Sequence, residues 1–118
     1  MIFTLWLGKT NPICRLCLKS WLQFYTKIVI YVDFNNIDPF LGGGEYELRN
    51  YKDVLDVSID NLLQFTDFFR FTRLLNEGGT WLDADMYLLK LLPDDKIIIS
   101  SERTNQTGAY KNKINVYL

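Results

Sequence analysis

Residues 2–33 read IFTLWLGKTNPICRLCLKSWLQFYTKIVIYVD. Ile2 to Leu7 is a short apolar run closed by Gly8, the pattern of a buried strand. Thr10 and Asn11 are helix-capping types, and Pro12 suits a first helical position, where its missing N–H costs nothing. Ile13, Leu16, Cys17, Trp21 and Phe24 then recur at helical spacing, which predicts a helix over about 12–25. Lys27 to Asp33 is a second run rich in β-branched residues. Strand, helix, strand in that order is a βαβ unit, and its two strands must be parallel. The stretch therefore predicts an α/β fold with a mostly parallel sheet flanked by helices. Gly8 and Lys9 fall at the carboxyl end of the first strand, where open α/β sheets place their ligands.

Outward from this unit, residues 35–44 (NNIDPFLGGG) form a loop by composition. Its three glycines lack both the G-x-G-x-x-G spacing and a following Lys-Ser/Thr, so they read as a connector and not as a phosphate cradle. Residues 45–57 are mixed, a short strand and a helical turn at most. Ser58 or Asp60 is the expected cap of a second helix with an apolar stripe of Leu62, Leu63, Phe65, Phe69, Leu74 and Leu75. Gly78 stands where a helix-ending glycine is expected. Thr80 to Asp83 is a predicted third strand, with Tyr87 to Leu92 continuing beyond it. Pro93-Asp94-Asp95 reads as a turn, Lys96 to Ser100 as a strand, Thr104 to Gly108 as a polar loop and Tyr110 to Leu118 as a final strand. All of this fits a single domain over residues 1–118.

Composition excludes several function classes. The chain has 118 residues, 48% hydrophobic and 15% aromatic, enough to bury a modest core. With a net charge of −1 and no clustered basic run, it does not read as a nucleic-acid binder. It contains no histidine, which removes Ser-His-Asp and Cys-His catalysis, histidine-ligated zinc and any histidine base. No apolar run reaches membrane-spanning length, and no signal peptide is visible. Cys14 and Cys17 fall inside the first helix pattern without a second pair to complete a zinc site, so they read as small apolar residues on one helix face. Reduced cysteines suit a cytoplasmic or otherwise reducing compartment.

The chemistry concentrates in residues 67–86, DFFRFTRLLNEGGTWLDADM. Asp67 and Arg70 lie one helical turn apart on an otherwise apolar helix, as either a structural ion pair or a ligand-facing pair. Arg73 reads as a solvated helix charge. Gly78 and Gly79 allow a sharp turn and close approach of a ligand to the main chain. Trp81, Asp83 and Asp85 alternate with Leu82, Ala84 and Met86, which predicts two carboxylates on one side of a strand end. Such a pair offers hard oxygen ligands to a divalent cation. A D-x-D triplet alone is a common accident, and its bland reading is a solvated turn.

Taken together, Asp67, Arg70, Phe71, Leu74, Gly78, Gly79, Trp81, Asp83 and Asp85 fit the pattern D-x-x-R-[YF]-x-x-L-x-x-x-G-G-x-[YW]-x-D-x-D. In this the chain resembles glycosyltransferase family 32 and its relatives, among them capsular polysaccharide enzymes, the glucosylating domain of large clostridial toxins and short glycosyltransferase domains of large algal viruses. A second likeness lies at Leu5-Trp6-Leu7-Gly8, Pro12 and Cys17-Leu18-Lys19-Ser20-Trp21, and it supports Trp21 as a core residue. The resemblance implies a GT-A (Rossmann-like) nucleotide-sugar-binding domain. It implies a metal-dependent hexosyltransferase that moves a hexose from a nucleotide-diphosphate sugar, expected to be a UDP-sugar, to a glycan or protein acceptor with Mn²⁺ or Mg²⁺. Carried over by position, Asp85 is the implied direct metal ligand, and Asp83 serves metal, ribose and donor sugar, the two forming the catalytic pair. Asp67 and Arg70 are implied to hold the sugar hydroxyls and steady the diphosphate side. Leu5 and Trp6 are implied to wall the nucleotide-base pocket, with Trp6 either a stacking ring or a buried strand residue. Gly79 is implied at the substrate.

Family domains of this type continue further, so the expectation for a chain this short is a donor half with much of the acceptor half missing. Two other readings compete. One is a non-catalytic or partner-completed donor-binding fragment. The other is a phosphohydrolase with Asp83 as nucleophile and Asp85 as acid/base. That class wants Thr or Val two residues after the second aspartate, where Tyr87 stands.

Overall fold

The computed structural model describes residues 1–92, 98–106 and 109–117, with side chains through Leu92. Strands β1 (Ile2–Leu5), β2 (Ile28–Val32), β3 (Glu47–Asn50) and β4 (Thr80–Trp81) form one sheet in the order β3-β2-β1-β4. Every pairing in it is parallel, with Ile2 opposite Ile28 on one side and Thr80 on the other. Helices α1 (Pro12–Trp21) and α2 (Leu62–Glu77) flank it. The βαβ reading of residues 2–33 and the α/β class both hold.

β1 and β2 are buried along their whole length, as strands covered on both faces must be. Side chains alternate between the faces. Phe3, Tyr31 and Trp81 meet the α2 side, where Phe69 packs edge-on against Tyr31 at 5.1 Å between ring centres and Phe3 against Trp81 at 5.5 Å. In α1, Asn11 is the cap: its side chain accepts the Cys14 N–H at 2.7 Å, and Pro12 opens the helix. Cys14, Leu18 and Trp21 are buried along it.

Several elements differ from the sequence reading. The first helix stops at Trp21, because the Leu22 and Gln23 amides close back on carbonyls three residues earlier and tighten the last turn. Asn61, and not Ser58 or Asp60, caps α2 by accepting the Gln64 N–H at 3.2 Å. The apolar stripe of α2 is narrower than predicted. Phe65, Phe69 and Leu74 are buried, whereas Leu63 and Leu75 are 80% and 87% exposed, one beyond the end of the sheet and the other on the outer face.

Arg73 is not a solvated charge; it is 2% exposed. Its guanidinium donates to Tyr31 Oη at 2.7 Å and to the Gly78 carbonyl at 2.9 Å, pairs with Glu77 at 2.9 Å, and lies 4.3 Å over the Phe3 ring. This network ties the end of α2 to the sheet.

β4 has only two residues. The Leu82 amide still reaches the Phe3 carbonyl at 3.1 Å, but the Met86 amide then bonds the Asp83 carbonyl at 3.0 Å and closes a turn. Asp83 and Asp85 therefore sit on a turn, not on one side of a strand, and Tyr87–Leu92 does not continue the strand. Residues 45–57 form β3 and a 3-10 turn at Tyr51–Asp53, as the sequence suggested. Strands β5 (Ile98–Gln106) and β6 (Ala109–Tyr117) pair antiparallel as a separate two-stranded sheet. β5 runs through the start of the expected polar loop; the expected turn at 93–95 lies outside the described residues.

Candidate functional site

α2 runs antiparallel to the strands it packs on, so its first turns overhang the carboxyl ends of β1 and β4. A cleft of about 510 Å³ opens there. Its floor and walls come from Thr4 and Leu5 at the end of β1, from Trp6 and Leu7 after it, from Asn11 that caps α1, from Leu62, Leu63 and Thr66 of α2, and from Trp81 to Asp85 without Leu82. This is the edge where a parallel sheet leaves its loops free to hold a ligand.

Asp83 is held from two sides. Its Oδ1 accepts the Trp81 indole N–H at 2.7 Å, and Arg70 Nη1 lies 4.0 Å away. Arg70 also reaches Asp67 Oδ1 at 3.3 Å, one turn back along α2. Of the two readings left open for that helix pair, the structure adds a third partner: Arg70 joins the helix carboxylate to the turn carboxylate. Arg70 is largely covered, Asp67 is exposed and Asp83 is intermediate. Asp85 is exposed and faces the cleft, with no hydrogen bond or ion pair among the described residues. A carboxylate kept free of partners beside one that is tightly held is what an external cation or polar ligand needs.

The other expected site residues separate. Leu5 is buried at the inner end of the cleft. Trp6 is half-buried on its wall, and its indole N–H donates to the Lys9 carbonyl at 3.1 Å, which fixes the ring against the loop after β1. It is thus neither a fully buried strand residue nor a free ring. Gly79 lies away from the cleft, at the amino end of β4. Its φ is +97°, and a Cβ there would stand 3.2 Å from the Met1 carbonyl oxygen and 3.4 Å from the Phe3 ring. Its glycine is required by the chain's turn into β4 and by the packing of β1.

The C-x-x-C pair is buried and reduced. Burial first, and then each neighbour's charge, raises both thiols: Cys14 is pushed up to about 11, and Cys17 is raised with Asp85 as its charged neighbour. Such thiols are inert, which agrees with their reading as small apolar groups. Asn11, Leu62, Leu63 and Thr66 were not singled out for the cleft by the sequence. The apolar stripe predicted for α2 places the two leucines in the core. The signal that could have placed them is position: they open the helix that follows a crossover, so they extend past the strand ends.

The all-parallel sheet flanked by helices, with a cleft at its carboxyl edge, is the architecture of a Rossmann-like GT-A domain, the fold class of glycosyltransferase-like proteins. The chain belongs to the capsular polysaccharide synthesis protein family, whose model matches residues 1–116. Among curated proteins and solved structures, none matches it significantly. No described helix is long and apolar enough to cross a membrane.

Proposed function

We propose that the protein transfers a hexose from a nucleotide-diphosphate sugar, a UDP-sugar by the motif it carries, to a glycan or protein acceptor with the help of Mn²⁺ or Mg²⁺. The observation that carries this reading is that Asp83 and the open Asp85 line one cleft, and that Arg70, paired with Asp67 outside the cleft lining, reaches Asp83. No group of three or more metal-ligating side chains is gathered among the described residues. Two carboxylates nevertheless fit a hard cation that completes its shell with water and substrate phosphate, as Mg²⁺ commonly does. Asp85 and Asp83 are the residues that would hold it, and the chemistry it supplies when bound is charge neutralisation on the departing diphosphate.

The chain's own groups have distinct tasks in this reading. The cleft beside Trp6 takes the base, where the amphipathic ring offers a stacking face. The amino end of α1, whose cap Asn11 lines the cleft, turns the positive end of the helix dipole toward an anionic ligand. Arg70, braced by Asp67, neutralises negative charge near Asp83 and leaves Asp67 open to sugar hydroxyls. Trp81 fixes the rotamer of Asp83, so its second oxygen stays free for the donor.

Isothermal titration of the full chain with UDP and with UDP-sugars, with and without Mn²⁺, tests the reading. Binding that requires Mn²⁺ and weakens about 100-fold in Asp85→Ala is expected, a loss of about 2.7 kcal/mol. Because Asp85 is exposed and unpaired, the melting temperature should hardly move. Binding indifferent to Asp85→Ala would sink the proposal.

A further inference from the structure

Beyond Asp85 the chain runs through Met86–Leu92, a strap that joins no strand. Three of its backbone groups are gripped by side chains of α1 and the turn after it. The Trp21 indole N–H donates to the Met86 carbonyl at 2.7 Å. The Leu88 amide donates to Ser20 Oγ at 3.0 Å, and the Leu92 amide to Tyr25 Oη at 2.9 Å. Ser20 is itself fixed, because its hydroxyl donates to the Cys17 carbonyl at 2.6 Å. Trp21 is fully buried and Ser20 nearly so.

Met86 has two jobs in this arrangement. Its amide closes the turn that begins at Asp83, and its carbonyl is the group that Trp21 holds. The turn that carries both carboxylates is therefore pinned at its far corner from α1. Asp83 has Trp81 and Arg70 to orient it, but Asp85 has no such partner among the described residues. The grip on Met86 and Leu88 holds the backbone on the far side of Asp85.

We propose that Trp21 and Ser20 are positioning residues for Asp85, holding the Asp83–Met86 turn from α1 so that its open carboxylate is preorganised for a divalent cation on a nucleoside diphosphate. The inference rests on the function proposed above and adds the residues that act through the main chain. Groups that orient a ligand without touching the metal commonly change its affinity 10–100-fold when removed. The indole N–H is the critical atom: a phenyl ring would fill most of the same space but could not donate to the Met86 carbonyl.

The test uses three variants of the full chain. Trp21→Phe removes the N–H, Ser20→Ala removes the acceptor for Leu88, and Tyr25→Phe frees only the strap's far end. Affinity for Mn²⁺ in the presence of UDP should fall about tenfold in Trp21→Phe, less in Ser20→Ala, and within about twofold in Tyr25→Phe. Saturating Mn²⁺ should restore donor binding in the first two, which lost global stability would not allow. Without metal, hydrogen exchange at the Met86 amide should quicken in the same order, as the turn loosens. Wild-type Mn²⁺ affinity and unchanged Met86 exchange in a folded Trp21→Phe or, should that variant not fold, in Ser20→Ala would overturn the positioning role alone. A wild-type chain that binds no Mn²⁺–UDP would overturn the function reading and this role with it.

Discussion

Arg70 and Arg73 stand one turn apart on the same helix, within the same stretch of sequence, and the structure uses them in opposite ways. Arg73 is sealed at the amino edge of the sheet, with its guanidinium nitrogens committed to Tyr31, Gly78 and Glu77 and its plane against Phe3. Arg70 is at the carboxyl edge, with a 3.3 Å contact to an exposed aspartate and a longer one of 4.0 Å to Asp83. The difference follows from helix direction. α2 descends from the cleft to the closed end of the sheet, so a step of three residues carries a charge from the ligand edge to the core. A charge whose partners are saturated and buried is architecture, while a charge with long, partly solvated partners is available to a ligand.

The largest expected effect breaks the architectural half of the comparison. Arg73→Ala should cost about 3 kcal/mol of stability, because it leaves a void under Phe3 and removes the buried donor to Tyr31 Oη and to the Gly78 carbonyl. Urea unfolding measures it, and a loss under about 1 kcal/mol would show that the network is decorative. Arg70→Ala should do the reverse. Exposed and half-exposed ion pairs contribute little, so stability should change by less than about 1 kcal/mol. Donor affinity should nonetheless drop about tenfold by titration calorimetry. Arg70→Lys should recover only part of it, since an ammonium cannot span Asp67 and Asp83 as a planar fork does. Equal stability losses in the two alanine variants would erase the distinction.

Much of this was legible in the residues themselves. The βαβ unit declared itself through two β-branched runs about a capped helix, and the parallel sheet followed from it. Asp67, Arg70 and Asp83 were picked out by spacing, and their meeting at one place is a consequence of α2 leading directly into β4. Arg73 was misread because helical periodicity cannot tell an exposed charge from one that finds a buried phenol on another strand; Tyr31 is 42 residues away. The turn at Asp83–Met86 was misread as strand because alternation of apolar and polar residues is equally good in two turns of irregular chain. Nothing local could have revealed that a carbonyl just past Asp85 is gripped by Trp21, since that contact spans 65 residues. Nor did composition reveal that Leu62 and Leu63 overhang the strand ends, a matter of where the helix begins relative to the sheet.

Asp38 offers the finest test of the rule, because it lies in the loop after β2, at the ligand edge, yet its bonding is architectural. Its Oδ2 accepts the Thr10 amide at 2.6 Å and the Thr10 hydroxyl at 3.0 Å, and its Oδ1 accepts the Phe40 amide at 2.8 Å. These bonds, led by that from the Thr10 amide, hold its carboxyl below the usual carboxylate range, and nearby Arg15 adds to the effect. Saturation predicts that Asp38 fixes the loop before α1 and contributes nothing directly to a ligand. A carboxyl with a depressed folded pKa stabilises the protein above its unfolded pKa, about 3.9, and that contribution is lost as pH falls through the lower folded value. Asp38→Asn lacks the charge at every pH. The stability gap between wild type and Asp38→Asn should therefore be full at about pH 6 and close only as the pH drops below the ordinary aspartate range. Chemical unfolding of both proteins across that range reads the gap directly. A gap that is constant with pH would mean that the Asp38 charge is not what the two amides recognise, and the line drawn between saturated and open charges would fail at the edge of the sheet where it matters most.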